Sequence, residues 1–379
     1  MAAMQKKRIF LSPPWVGAGE RALVTKAFDS GYVAPCGPMV DEFDRRLGVL
    51  SGQHAAAVAS GTAALDLLMA ELGVGPRTTV ISSSLTFIAT VGPAVRRGAK
   101  AVFVDSDPAT GTISIPLLEK ALADVRRPAV VVAADIYGQC CDYDALEELC
   151  ARYRVPLVLD AAESVGATCR GRPSGLAGIA AVYSFNGNKI VTTSGGGAVL
   201  SRDPELVARA KWRAQQAREP VVWYEHRETG YNYRMSNLLA AVGCAQLDRL
   251  PEIVRRKRRI FGFYGELLGC GGRRRNGGSP GHGKAVPFPC ADYTCATNWL
   301  SVFLFPSETI RDRMAARLDA ANIECRPVWK PLHLQPVFAG CRAYGGEVAE
   351  DLFRRGLCLP SGAGLTRADL ARIAEAIAG

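Results

Sequence analysis

The chain has 379 residues, of which 48% are hydrophobic, and a formal net charge of +10. This length predicts two domains with a large core, and the apolar runs are too short to cross a bilayer. The N-terminal stretch MAAMQKKRIFLSPPW lacks the apolar segment and cleavage site of a secretory signal, so we expect a cytoplasmic protein that does not contact a membrane.

Cysteine and histidine are scattered along the chain. The twelve cysteines form no C-x-x-C pair, and the four histidines do not cluster. This pattern predicts no metal site. It favours thiols that serve as small buried hydrophobic groups in a reducing compartment.

Much of the positive charge lies in two short runs, RRKRR (255–259) and RRR (273–275). Such runs could form a nucleic-acid patch. Neither run has interleaved aromatic residues for base stacking. We therefore interpret them as a solvated helix face and a surface loop, and expect no nucleic-acid partner. A basic surface would also suit a small substrate that carries phosphate.

The first two-thirds of the chain alternates strand-like and helix-like segments. The strand candidates are AAAVAS (55–60), TTVISSS (78–84), KAVFVD (100–105), AVVVAADIYG (129–138) and PLVLDAA (156–162). Helical spacing of apolar residues follows the first candidate, at Leu65, Leu68, Met69 and Leu72, and recurs in YDALEELCARY. Apolar strands separated by helices predict an α/β domain with a mostly parallel sheet covered on both faces.

The alternation of strand-like and helix-like segments changes after about residue 250. A charged helical segment leads into CGGRRRNGGSPGHGK (270–284), which is predicted to be a loop or disordered because it has little to bury. A strand candidate, NWLSVFLF (298–305), and a helix, RDRMAARLDAAN (311–322), follow. A last helix is predicted to start at Thr366, with Asp369 completing a capping box. We predict an N-terminal arm and large domain over 1–250, and a smaller α+β domain over 251–379.

Candidate site residues follow the predicted strands, where ligands bind in open parallel sheets. They are Gly61, Thr62 and Ala63 after the first strand, Phe87 after the second, Asp160 and Glu163 after PLVL, and Ser184, Asn186, Asn188 and Lys189 after AAVY. Gly61, Thr62 and Ala63 open a helix, where free N–H groups favour an anion. Ser184 can add a hydroxyl donor, so the group suits a phosphate.

Lys189 is the single lysine in SFNGNKIVTTSGGG (184–197), a turn rich in small residues between two apolar runs. Burial lowers a lysine pKa towards the neutral amine, which forms Schiff bases with carbonyls. A ligand with a phosphate, an aromatic ring, a basic ring nitrogen and an aldehyde is pyridoxal phosphate, and Asp160 could pair with its nitrogen. Each element alone has an ordinary structural explanation: a helix cap, a core phenylalanine, a surface lysine. Because all of these residues follow strand ends, the pattern favours a single cofactor-binding site.

Several long motifs carry a family resemblance. They are SGTAALDLL, SSSLTFIATV, VVVAADIYGQ, LVLDAAESVGA, SFNGNKIVTTSGGGAVLS, GYNYRMSNLLAAVGCAQL and CRPVWKPLHLQP. With them the chain resembles the DegT/DnrJ/EryC1/StrS family of pyridoxal-phosphate sugar aminotransferases, which have the aspartate aminotransferase-like (type I) fold. DAAES, SFNGNKIVTTSGGG and RPVWKPLHLQP are similar to the branch that aminates C4 of UDP-4-keto-6-deoxy-N-acetylhexosamines, as in bacillosamine synthesis.

The resemblance implies a role for each matching residue. Lys189 would hold the cofactor as a Schiff base and then move the proton, and Asp160 would pair with the protonated ring nitrogen. Glu163 would lie near the ring hydroxyl, where other members carry Gln or His. The remaining cofactor contacts implied are Phe87 stacked on the ring, and Gly61, Thr62, Ala63, Ser184 and Asn186 around it. Asn232 would reach the phosphate in the partner subunit of a homodimer, and Arg234, Trp329, Lys330 and His333 would contact the nucleotide sugar.

The expected reaction moves an amino group from L-glutamate to C4 of a nucleotide-linked keto sugar, for bacterial amino-sugar and polysaccharide synthesis. C3 amination or dehydration of a related sugar remains an alternative, although Lys189 argues against relatives that carry histidine there and act as dehydratases. A non-enzymatic aminotransferase-like regulatory protein is the alternative of another class. A nicotinamide-dependent dehydrogenase would need G-x-G-x-x-G after the first strand, and SGTAAL does not match that motif.

Overall fold

The computed structural model describes residues 7–270 and 285–378. The basic run at 273–275 and the predicted loop at 270–284, apart from Cys270, lie outside these residues. Within the described ranges, no helix combines the length and apolar character needed to span a bilayer.

Eleven α-helices and fifteen strands form the described part of the chain. The helices are α1 (Ala18–Asp29), α2 (Pro38–Ser51), α3 (Gly61–Glu71), α4 (Gly92–Arg96), α5 (Ile115–Asp124), α6 (Tyr143–Tyr153), α7 (Pro204–Ala214), α8 (Asn237–Leu267), α9 (Glu308–Ala320), α10 (Glu347–Arg355) and α11 (Arg367–Ala378). The strands are β1 (His54–Val58), β2 (Thr79–Ser83), β3 (Lys100–Val104), β4 (Val130–Ala134), β5 (Leu157–Asp160), β6 (Thr168–Cys169), β7 (Arg172–Pro173), β8 (Ala180–Ser184), β9 (Gly197–Ser201), β10 (Val286–Pro287), β11 (Thr294–Cys295), β12 (Ser301–Leu304), β13 (Arg326–Pro327), β14 (Arg342–Tyr344) and β15 (Gly356–Leu359).

The large sheet has eight strands in the order β1-β9-β8-β5-β4-β2-β3-β14. All neighbouring pairs from β8 to β14 are parallel, and β9 runs antiparallel to both β1 and β8. The predicted mostly parallel sheet is therefore confirmed, and the five strand candidates are β1 to β5. Each observed strand ends before the candidate segment does, because the last residues of the segment belong to the loop that follows.

Helices cover both faces of this sheet, as the apolar strands predicted. Along β4, Val131 and Ala133 join one core cluster while Val130 and Val132 join another. The first cluster draws on α2, α5, α6 and α8, and the second draws on α3 and α7. The alternation along one strand shows that the sheet is buried between two helical layers.

The C-terminal third builds a second sheet, β10-β12-β15-β13, and also returns to the large sheet through β14. The N-terminal arm packs against this third: Ile9 is buried in the same cluster as Ile323, and its amide donates to the Asn322 carbonyl oxygen at 3.1 Å. Helix α8 runs without a break through residue 250. The division of the chain at 250 stays a prediction, and these contacts tie its two parts together.

In helix α8, the basic run 255–259 is solvated only in part. Arg255, Arg258 and Arg259 are exposed, as a solvated helix face requires, but Lys257 is 2% exposed. It lies on the buried face of the helix with Ile253 and Ile260. The interpretation of the whole run as solvated was wrong at Lys257.

The predicted start of the last helix is confirmed. The Thr366 hydroxyl oxygen accepts a hydrogen bond from the Asp369 amide at 3.1 Å, and the Thr366 amide donates to the Asp369 carboxylate at 2.9 Å. This is the reciprocal capping box. Helix α11 begins at the next residue, Arg367.

Candidate active site

A cavity of about 260 Å³ opens at the carboxyl ends of the parallel strands. The residues predicted for the site that line it are Gly61, Thr62, Phe87, Asp160, Glu163, Ser184, Asn186, Asn188, Lys189 and Trp329. These residues come from five separated stretches of the chain. The fold thus brings most of the predicted constellation to one place.

Lys189 is held in the cavity by the turn between β8 and β9. Its amide donates to the Asn186 carbonyl oxygen at 2.9 Å, and its side chain is 13% exposed. The Nζ atom lies 3.6 Å from Glu163 Oε1 and 3.9 Å from the centroid of the Trp299 ring. The amine therefore points into the cavity between a carboxylate and an indole face.

Asp160 ends β5 and faces the same cavity, and it is 6% exposed. The Thr90 hydroxyl donates to Oδ2 at 2.6 Å, and the Ala162 amide donates to Oδ1 at 3.2 Å. Burial raises the pKa of the Asp160 carboxyl, and these two donors with the nearby Lys189 oppose that rise. A cation placed in the cavity would favour the ionised form further.

Glu163 is also buried, and three groups surround its carboxylate. The Tyr137 amide donates to Oε2 at 2.9 Å, the Trp329 indole N–H donates to Oε1 at 3.2 Å, and Lys189 Nζ approaches the same oxygen. Burial raises the pKa of Glu163, against the lowering effect of Lys189. Glu163 can therefore accept or return a proton beside Lys189.

The N-terminus of α3 forms the polar end of the cavity. The Ser60 hydroxyl accepts from the Ala63 amide at 3.0 Å, so the cap uses that amide, while Gly61, Thr62 and Ser184 line the cavity. A Cβ on Gly61 would lie 3.1 Å from Ser184 Cβ. The glycine thus lets β8 and α3 approach closely enough to form a cradle of N–H and O–H donors.

Aromatic side chains form the opposite wall. Phe87 remains 49% exposed although it lines the cavity, and its ring centroid lies 5.3 Å from that of Trp329. An aromatic ligand between the α3 cradle and Asp160 would cover this exposed face.

Five predicted site residues do not line this cavity. Ala63 donates to the Ser60 cap; Asn232 is exposed and accepts from Gln216; Arg234 is buried; His333 lies between Ser84 and Glu350; and Lys330 lines an adjoining cavity of about 760 Å³. The adjoining cavity shares Asn188, Trp299 and Trp329 with the first. The substrate and partner contacts proposed for these residues stay predictions.

The sequence reasoning missed several lining residues. Trp299 comes from a segment that reads simply as a strand, and Asp135 is a buried carboxylate within the β4 candidate. Burial raises the pKa of Asp135 to about 6, although Ser164, Tyr143 and Cys141 all donate to it. Asp135 follows a parallel strand, so the strand-end rule could have found it. No local signal in the sequence marks Trp299.

The site fits pyridoxal phosphate by the chemistry of its donors. The α3 cradle offers N–H and O–H donors to a phosphate, Asp160 is a buried carboxylate that a protonated ring nitrogen would satisfy, and Lys189 presents an amine to an aldehyde. The half-exposed face of Phe87 is available to the ring.

Comparisons with known proteins agree with this geometry. The model of the DegT/DnrJ/EryC1/StrS aminotransferase family matches residues 15–378. The chain is 41% identical to EpsN of Bacillus subtilis (strain 168), named as an aminotransferase dependent on pyridoxal phosphate, over 98% of this chain and 95% of EpsN. It is 35% identical to GDP-perosamine synthase of Caulobacter vibrioides, over 98% and 97% of the two chains.

Among solved structures, the chain is similar to the sugar aminotransferase Spr1654 of Streptococcus pneumoniae in its pyridoxal-phosphate form. The TM-score is 0.88 at 25% identity, over 98% of each chain. The fold is the aspartate aminotransferase-like fold, and the cofactor is pyridoxal phosphate. The chain therefore belongs to the DegT/DnrJ/EryC1/StrS aminotransferase family.

Proposed function

We propose that the protein transfers an amino group from L-glutamate to C4 of a nucleotide-linked 4-keto-6-deoxy sugar, with a UDP-linked 2-acetamido-2,6-dideoxy-4-keto-hexose as the leading candidate. The observation that carries the proposal is the position of Lys189 between Glu163 and Trp299 in a cavity with Asp160. The product would serve amino-sugar synthesis for a bacterial polysaccharide.

Pyridoxal phosphate supplies an electron sink that stabilises negative charge on the carbon that gains or loses a proton. Within this chain, Lys189 carries the proton to and from that carbon. Asp160 keeps the ring nitrogen protonated, because a buried carboxylate is best satisfied by a cation. Glu163 lies close enough to Lys189 Nζ to hold the proton between steps.

The adjoining cavity supports a nucleotide-linked substrate. It is lined by the cationic side chains Arg326 and Lys330 and by the aromatic rings of Phe10 and Trp329. Cations suit a diphosphate, and aromatic rings suit a nucleobase. The name of GDP-perosamine synthase refers to a GDP-linked sugar, so that relative supports a nucleotide-linked substrate and leaves the nucleotide base and the position of amination to experiment.

The active unit proposed is a homodimer in which Asn232 reaches the phosphate in the partner's site. Asn232 is exposed and does not line the cavity of its own subunit. This placement is what a contact across a subunit interface requires.

The test is a two-step assay with purified protein. L-glutamate alone should convert the bound cofactor to its amine form and release one equivalent of 2-oxoglutarate. UDP- and GDP-linked 4-keto-6-deoxy sugars are then added, and the position of the new C–N bond is determined by NMR. Amination at C3, or loss of water without amination, would favour the alternative reactions. A spectrum that glutamate leaves unchanged would favour a binding protein.

A further inference from the structure

Lys257 is a buried lysine for which the proposed reaction has no direct use. Its side chain lies inside the basic run of α8 and is 2% exposed. The Nζ atom donates to the Ser361 carbonyl oxygen at 2.8 Å, to the Trp299 carbonyl oxygen at 3.0 Å and to Ser12 Oγ at 3.4 Å. Among the described residues, no carboxylate forms an ion pair with it.

Burying the Lys257 ammonium in this way lowers the stability of the folded protein. Removing an ammonium from water without a counter-charge disfavours the charged form, and burial lowers the pKa of Lys257 to about 7. The three oxygen acceptors oppose that change because they favour the charged form. A methionine of similar length would avoid this cost, but it would leave the Ser361 and Trp299 carbonyl oxygens without the Lys257 donor, so these hydrogen bonds are what the buried lysine provides.

Two of the three acceptor residues, Ser12 and Trp299, also form hydrogen bonds to Asn188, the residue next to Lys189. The Ser12 hydroxyl donates to the Asn188 carbonyl oxygen at 2.9 Å, and the Trp299 indole N–H donates to the same oxygen at 2.7 Å. The Trp299 ring also lies against Lys189 Nζ. Lys257 therefore holds both residues that fix the Asn188 carbonyl, and one of them forms a wall beside the reactive amine.

We propose that Lys257 is a positioning residue for Lys189: through Ser12 and Trp299, it fixes the Asn188 carbonyl and the indole face that together orient the Lys189 amine. The connection joins four separate parts of the chain, namely the N-terminal arm, α8, the segment before β12 and the segment after β15. The inference rests on the proposed function only in that Lys189 is the reactive amine.

The first experiment measures Lys189 directly in the protein stripped of cofactor. Lys257→Met removes the donors at nearly constant length, and Arg255→Met is the matched control on the exposed face of the same helix. Trace labelling with an amine reagent, read by peptide mass spectrometry, gives the reactivity of Lys189. We expect Lys257→Met to change this reactivity several-fold, and Arg255→Met to leave it unchanged.

The second readout is the glutamate half-reaction of the reconstituted protein. A displaced amine should lower the rate constant by roughly ten-fold with little change in the glutamate concentration at half-saturation. A purely structural role predicts a lower melting temperature with wild-type labelling and rate in the folded fraction, and that result would overturn the proposal.

Ser12→Ala keeps the proposal testable if Lys257→Met does not fold. It removes one donor to the Asn188 carbonyl and leaves Lys257 with two acceptors, so both readouts should shift in the same direction by a smaller factor. In the double variant, the effects should be less than additive because the two residues act through one carbonyl. A wild-type Ser12→Ala protein, or fully additive effects, would contradict the inference, whereas failure of the proposed sugar reaction would leave the labelling result intact.

Discussion

Asp160 ends β5 and Glu163 lies three residues later in the loop that follows, and the groups around the two carboxylates differ. Asp160 accepts from the Thr90 hydroxyl and the Ala162 amide and lines the cavity. Glu163 shares its Oε1 atom between Lys189 and the Trp329 indole. One carboxylate is thus placed to balance a ring cation, and the other to exchange a proton with the amine.

Asp160→Asn should separate cofactor function from folding. The amide can accept from Ala162 and donate to Thr90, whose hydroxyl can turn towards Thr86, 2.8 Å away. The variant should fold and bind pyridoxal phosphate, but it should lose most of its rate in the glutamate half-reaction because the ring nitrogen is no longer held protonated. Full activity would remove Asp160 from this role.

The same variant predicts a pH effect on the cofactor-free protein. Since the native Asp160 carboxyl has a raised pKa, this group binds more protons in the folded state than in the unfolded state just above pH 3.8, its usual pKa, and its contribution to wild-type stability falls as pH rises through that range. The Asn variant lacks this titration. Its free energy of unfolding relative to wild type should therefore increase with pH, as measured by denaturant titrations.

At the scale of elements, we propose that the N-terminus of α3 forms the phosphate end of the site. Gly61→Ala would place a Cβ 3.1 Å from Ser184 Cβ and 3.4 Å from the Tyr183 carbonyl oxygen. Ser184 would have to move by a few tenths of an ångström, which widens the cradle. We expect a several-fold weaker affinity for pyridoxal phosphate, measured by titrating the cofactor-free protein.

Gly262→Ala is the matched control for this substitution. Gly262 is an exposed position in α8 where a new Cβ meets nothing within 4 Å. That variant should keep wild-type cofactor affinity and gain up to about 1 kcal/mol in unfolding free energy from helix propensity. Equal affinities for the two alanine variants would contradict the role of the α3 cradle.

The sequence predicts elements best where a pattern is local. The strands β1 to β5 and the cap at Thr366 follow from apolar runs and capping chemistry. In contrast, β14 has only three residues, Arg342–Tyr344, and joins the large sheet through a pairing with β3 that is remote in sequence. No local pattern specifies such a contact.

The site residues also divide into those that a rule about strand ends predicts and those that depend on tertiary packing. Asp160, Ser184 and Lys189 follow strand ends, so a topological rule places them together. Trp299 reaches the cavity from a distant segment, and its contact with Lys189 depends on tertiary packing. The burial of Lys257 could have been predicted from its helical spacing between Ile253 and Ile260. Its charge, however, favoured a position on the surface.

For the whole molecule, the central proposal is a site shared between two copies of the chain. Lys189→Ala inactivates a site from within, and Asn232→Asp should inactivate the neighbouring site by placing a carboxylate near the phosphate. In a mixed dimer of the two variants, one site would contain both wild-type residues. Random mixing of subunits should restore about a quarter of wild-type activity in a two-fold symmetric dimer.

The complementation assay requires co-expression of the two variants with different affinity tags. Activity in the doubly purified mixed dimer, with each parent inactive, supports sharing across the interface. An inactive mixed dimer would place Asn232 in the site of its own subunit, and an active Asn232→Asp parent would place it outside any site.

The central claim about the site is that Lys189 forms the bond to the cofactor. The most direct measurement is borohydride reduction of the protein saturated with pyridoxal phosphate, followed by peptide mass spectrometry and by visible spectra before and after L-glutamate. We expect the cofactor to be fixed to Lys189 alone, glutamate to abolish this fixation as the visible band shifts, and Lys189→Ala to show neither effect. Fixation on another lysine such as Lys330 or Lys257, or no fixation with normal turnover in Lys189→Ala, would contradict the account.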